Sequence, residues 1–134
     1  MKFVVDTNIL ITFFWKNSIS KELFNNQDLE LYSPEFALEE LNKYSDEIKN
    51  KAGIDESEFQ KLKNELIKLI KFIPLKEYSD QLFNIHKKIP DVNDIDFIGL
   101  ALKLKCDLWS NDKLLKKQHI VRIFNTKEII DIFD

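Results

Sequence analysis

Asp6 ends a β-branched and aromatic run, Lys2-Phe3-Val4-Val5, that reads as a buried strand. The carboxyl ends of such strands are where open α/β sheets place their sites. Asp112 stands in the same relation, one residue further on, to the short strand Asp107-Leu108-Trp109-Ser110. An aspartate at either position is also a good helix cap, and taken alone each residue suits both readings. Carboxylates that converge without thiolate or imidazole suit hard cations such as Mg²⁺ or Mn²⁺ and not zinc. The chain has one cysteine, Cys106, and two histidines, His86 and His119, too far apart for a local zinc motif.

Helical phase narrows the remaining acids. At about 100° per residue, Asp96 and Lys103 project in nearly the same direction, which predicts a solvent face on a helix over 92–105. Asp94 points almost opposite, in line with Ile98 and Ala101, and an ionised carboxylate there is costly unless paired or bound to metal. Asp94 is therefore the functional candidate, Asp96 its solvated neighbour, and Asp91 an N-cap. The same test on a helix over 34–50, with Ala37, Leu41, Tyr44 and Ile48 as its apolar stripe, sets Glu39 opposite the stripe. Glu40 falls on its flank, where it can lean over the end of a sheet, and is the better candidate.

These acids need elements to hold them. A chain of 134 residues, 44% apolar and 32% charged, fits one globular domain over 1–134 with a core that needs no disulfides. No apolar run is long enough to span a bilayer, and Asp6 interrupts any signal-peptide-like N-terminus, so the expectation is a cytoplasmic protein. The net charge of −3 argues against a general nucleic-acid coat, and of the 20 basic residues only Arg122 is an arginine. Phosphate binding would therefore rest on lysine point charges or a metal.

After the first strand, Thr7 and Asn8 can cap a helix through Ile9–Trp15, and Ser20 starts another short one. Ser33-Pro34 signals the start of the helix that runs to about Asn50, with Lys51-Ala52-Gly53 as its stop. From Asp55, Phe59, Leu62, Leu66, Leu69 and Ile73 predict a second long helix ending near Pro74, packed on the first as an antiparallel hairpin over about 34–73. Further helices are expected over 79–89, closed by Pro90, over 92–105, over 112–118, and at the C-terminus under a Thr126 cap; a last strand covers 120–124. Strands alternating with helices give an α/β fold with a mainly parallel central sheet.

Asp6-Thr7-Asn8, Glu40-Leu41, Asp94 followed by Ala101-Leu102, and Ser110-Asn111-Asp112-Lys113 resemble, in order and over nearly the whole chain, the four acidic motifs of PIN-domain nucleases. Pro34-Glu35-Phe36 and Leu108-Trp109-Ser110-Asn111-Asp112 resemble a prokaryotic branch related to the small VapC-like proteins. The family often has a small residue after the third acid, where this chain has Ile95. The resemblance implies a Mg²⁺- or Mn²⁺-dependent endoribonuclease in which Asp6, Glu40, Asp94 and Asp112 bind metal. Asn8, Ser110 and Lys113 would contact phosphate or support the acids. Such an ion can polarise a phosphate and activate water for in-line attack. Clustered carboxylates without it should repel one another, raising some of their pKa values. The resemblance also implies the toxin of a toxin–antitoxin pair, commonly dimeric and inhibited by an antitoxin protein; a housekeeping RNA-processing nuclease fits the same residues.

Other features read as structure. His86 and His119 lie beside lysines on the surface, Cys106 is a small core residue, and Phe13, Phe14 and Trp15 are core or a dimer surface before they are a base-stacking platform. Lys113, Lys116 and Lys117 either steer phosphate or form a solvated face. A haloacid-dehalogenase-type phosphatase would need an acid where this chain has Asn8, and a response-regulator receiver would need an acidic pair that no residue before Asp6 supplies. The remaining alternative is a PIN-like binding or scaffold module without turnover.

Overall fold

The computed structural model describes residues 1–88 and 92–133, the side chains of residues 92–94 excepted. The cap assigned to Asp91, the stop at Pro90 and the side chain of Asp94 lie outside the described residues.

Five strands, all parallel, form one sheet in the order β3-β2-β1-β4-β5, with β1 at Lys2–Val5, β2 at Glu30–Pro34, β3 at Ile70–Ile73, β4 at Asp107–Trp109 and β5 at Ile123–Phe124. Helices α1 (Thr7–Thr12) and α2 (Ile19–Phe24) link β1 to β2, and α3 (Glu35–Lys43), α4 (Ser45–Ala52) and α5 (Glu56–Leu69) link β2 to β3. The chain then crosses back through α6 (Ser79–His86) and α7 (Val92–Leu104) to lay β4 on the other side of β1, and α8 (Thr126–Phe133) follows β5. The strand order therefore reverses between β1 and β4. At such a switch point the loops leave in opposite directions and open a crevice beyond the carboxyl ends of the strands.

Burial on both faces explains the strand sequences. Phe3, Val4 and Val5 of β1 and Leu108 and Trp109 of β4 are essentially inaccessible, as expected of parallel strands covered by helices. Helix α7 packs across β1, β2 and β4, burying Ile95, Phe97, Ile98, Leu100 and Ala101. It also lies close on α6: a Cβ on Gly99 would stand 2.6 Å from Leu82 Cδ2, so a side chain there would make the Leu82 side chain shift. Stacking of Phe14 on Phe59 (5.0 Å between centroids) ties α5 to the segment after α1.

Several boundaries differ from the sequence expectations. The helix expected over 34–50 is two helices broken at Tyr44, and Gly53, in the left-handed region at φ 68°, ends the second. The second arm of the hairpin stops at Leu69, because Ile70-Lys71-Phe72-Ile73 alternates with period two and pairs with β2. The hairpin is otherwise present: Lys49 bonds Glu56 and Lys63 bonds Asn42, partners that run in opposite senses along the chain.

The caps shift as well. Asp6, not Thr7 or Asn8, caps α1, and Ser18 precedes α2. Pro34 occupies the cap position of α3, while Ser33 donates to the Val5 carbonyl. Asn125 and Glu128 form a reciprocal capping box at α8, and Thr126 accepts from the Trp109 indole instead. The helix expected over 112–118 contracts to one 3₁₀ turn at Leu115–Lys117, and the last strand to Ile123–Phe124. No helix among the described residues is long and apolar enough to cross a membrane.

Candidate active site

Asp6 sits where β1 stops, 7% exposed, and both of its carboxylate oxygens are engaged. Oδ1 accepts from the Ile9 backbone N–H at 2.9 Å, the bond that caps α1, and Oδ2 accepts from the Ser110 hydroxyl. Ser110 is brought there by the register of β1 with β4, in which Val5 pairs with Trp109. Its Oγ accepts in turn from the Asp112 N–H at 3.0 Å, and Asp112 Oδ1 accepts from Leu114 N–H at 2.9 Å. Two strand ends and one serine thus set the positions of two acids.

The third acid comes from the other side of the crevice. Thr7 Oγ1 donates to Glu40 Oε1 at 2.6 Å, so the first residue of α1 holds a carboxylate of α3. Glu39, next to it, is exposed. Burial raises the Asp6 carboxyl from 3.8 to about 6; bonds from Ser110 and Ile9 pull it down, and the negative charges of Asp112 and Glu40 push it up. Among the described residues, none of these three acids is paired with a lysine or arginine. A buried acid with acidic neighbours and no cation is the electrostatic signature of a site built for positive charge.

One cleft of about 720 Å³ is lined by all three acids together with Thr7, Asn8, Trp15, Lys43 and Tyr44. All donors of the acids are oxygens, which fits Mg²⁺ or Mn²⁺ and not zinc. Among the described residues no three acidic, histidine or cysteine side chains stand close enough to share one ion. Asp94, the fourth acid of the set, lies on α7 with its side chain outside the described residues.

Two assignments change, those of Asp96 and Trp15. Asp96 is not a freely solvated neighbour: half-buried, it accepts from the Tyr78 hydroxyl at 2.8 Å. Tyr78 is fully buried, and desolvation together with the Asp96 bond drives its hydroxyl well above the usual tyrosine range. Lys113 is exposed, and its expected contact with phosphate stays an expectation. Trp15 separates from Phe13 and Phe14, which are buried, and stands half-exposed in the cleft wall. His86 and His119 are exposed, and Cys106 is half-buried against the core with its thiol pushed up to about 11 by burial. Sequence reasoning missed the pairing of Thr7 with Glu40. A hydroxyl immediately after a strand-end acid was a signal for it, but Thr7 also reads as an ordinary cap.

Fold and site together define an α/β protein with an acidic cleft at the switch point of a parallel sheet. The model of the PIN domain family matches residues 4–129, and the chain belongs to that family of nucleases. Its fold is similar to that in the crystal structure of VapBC2 from Rickettsia felis bound to a DNA fragment from their promoter. The TM-score is 0.66 at 18% identity, over 93% of this chain and 98% of that one. No curated protein matches the sequence.

Proposed function

We propose that this chain is a Mg²⁺- or Mn²⁺-dependent endoribonuclease, a single PIN domain that hydrolyses RNA phosphodiester bonds. The observation that carries the reading is Asp6: a buried carboxylate at the sheet's switch point, raised to about 6, with Asp112 and Glu40 as acidic neighbours and, among the described residues, no ion-paired cation to offset them. Asp6, Glu40, Asp94 and Asp112 would hold the metal, which when bound supplies polarisation of the scissile phosphate and acidification of an attacking water. Ser110 orients Asp6 and the Asp112 backbone, Thr7 orients Glu40, and the exposed Asn8 amide, which lines the cleft, would donate to a phosphate oxygen. No side chain acts as general base in this scheme.

The fold shared with VapBC2, together with the motif resemblance, supports a role as the toxin of a toxin–antitoxin pair, working in the cytoplasm as a homodimer under an antitoxin protein. The assay is cleavage of unstructured RNA by the purified protein, with a thermal melt alongside. Cleavage should require Mn²⁺ or Mg²⁺, and saturating Mn²⁺ should stabilise the fold by about 2.7 kcal/mol at ~100 times its Kd. Cleavage that survives EDTA overturns the metal mechanism, and an unmoved melting midpoint with no cleavage favours a non-catalytic module.

A further inference from the structure

We propose that Trp15 and Tyr44, which line the same cleft as the acids together with Lys43, form a base-stacking subsite for unpaired RNA. It would hold the nucleotide next to the bond cut at Asp6 and Glu40. The inference rests on the nuclease reading and names the form of its substrate.

Tyr44 carries the argument. On an unbroken helix it would extend the apolar stripe of Ala37 and Leu41, and both of those are fully buried. The chain instead leaves helical geometry at Tyr44 (φ −99°, ψ 17°), with neither glycine nor proline near it, and the residue is 40% exposed. Its backbone N–H still donates to the Glu40 carbonyl at 2.9 Å, so it sits one helical turn, about 6 Å, along the wall from the acid. Glu40 and Tyr44 line the same continuous cleft, and Trp15 contributes a second large aromatic surface from a different segment.

Charge orders the strand along this path. Lys43 Nζ lies 5.5 Å from the centroid of the Tyr44 ring, and among the described residues Lys43 forms no ion pair. Lys51, further along the wall, is tied to Glu47 at 3.4 Å. Lys43 is therefore the cation available to a phosphate whose base stacks on Tyr44. Flat, uncharged bases fit aromatic walls whose acidic residues repel bare anions. Only a strand whose bases are not already stacked in a duplex can offer them.

The two tryptophans supply a direct reporter, because Trp109 is fully buried and Trp15 lines the cleft. Rapid mixing of the protein and Mn²⁺ with an unstructured ribo-oligonucleotide should quench tryptophan emission before turnover. Trp15→Phe should abolish the quench. Tyr44→Ala should raise KM about tenfold, falling on KM more than on kcat, and Tyr44→Phe should restore it. Phe83→Ala, which removes an exposed aromatic ring outside the cleft, should change neither readout. The same RNA sequence locked in a hairpin stem should not quench. Cleavage without quenching, and with KM unmoved by Tyr44→Ala, overturns the subsite and leaves the nuclease reading standing. Absence of both cleavage and quenching overturns the two together.

Discussion

The floor and the wall of the cleft are built in opposite ways. On the floor, Asp6, Thr7, Ser33 and Ser110 are buried at the carboxyl ends of β1 and β2 and just beyond β4, and each makes a specific hydrogen bond. Among the described residues no buried side-chain polar atom lacks a partner. The wall on α3 and α4 is exposed: Glu39, Lys43, Tyr44 and Glu47 face solvent, and the ion pairs there join surface residues worth little each. Sheet register dictates the floor, so its groups cannot move without unpairing strands. The wall can change residue by residue at small cost to folding.

The largest expected effect is on the floor. Asp6→Asn keeps a side-chain oxygen for the Ile9 N–H but removes the buried charge, and should cut RNA cleavage roughly a hundredfold or more, measured as kcat/KM. Loss comparable to that of a wall substitution would erase the distinction.

Stability against pH sharpens the contrast. The folded carboxyl of Asp6 is raised to about 6 from 3.8, so between those values the native state binds the proton that the unfolded chain has released. The metal-free protein therefore loses stability as pH rises through that window, by about 3 kcal/mol, and the loss is complete above about pH 6. Denaturant titrations in EDTA should show this slope in the wild type and a flatter one in Asp6→Asn. Equal slopes would mean that Asp6 is not the group held neutral.

The smallest effect separates neighbours on the wall. Glu40→Gln, which retains an acceptor for Thr7, should reduce cleavage about tenfold through loss of a negative charge that acts on Asp6, whereas Glu39→Gln should leave the rate within about twofold. Equal losses at both positions would show that the contact from Thr7 does not mark the functional acid.

Much of the floor was legible because it depends on period and strand ends. Val4 and Val5 before Asp6, and Leu108 and Trp109 before Ser110, announce buried strands whose ends coincide with polar residues. The wall was less legible. Phe59, Leu62, Leu66, Leu69 and Ile73 satisfy helical spacing, while Ile70-Lys71-Phe72-Ile73 also satisfies strand alternation, and only pairing with β2 decides between them. Tyr44 fits an apolar stripe as well as an exposed break. Asp96 shows the limit of helical phase: it correctly groups Asp96 with Lys103 on one face, but that face is met by Tyr78, just before α6, and by Asp80 of α6.

The bond from Ser110 to Asp6 spans 104 residues of chain. During synthesis from the N-terminus, Asp6, Thr7 and Glu40 are made early, and β1 can pair with β2 as soon as Pro34 has emerged. The serine that orients Asp6, and Asp112 with it, arrive only after α7 has been made. A partly synthesised chain therefore exposes acids but no assembled site, and the same long-range closure that slows folding delays any catalytic competence until the last strands dock.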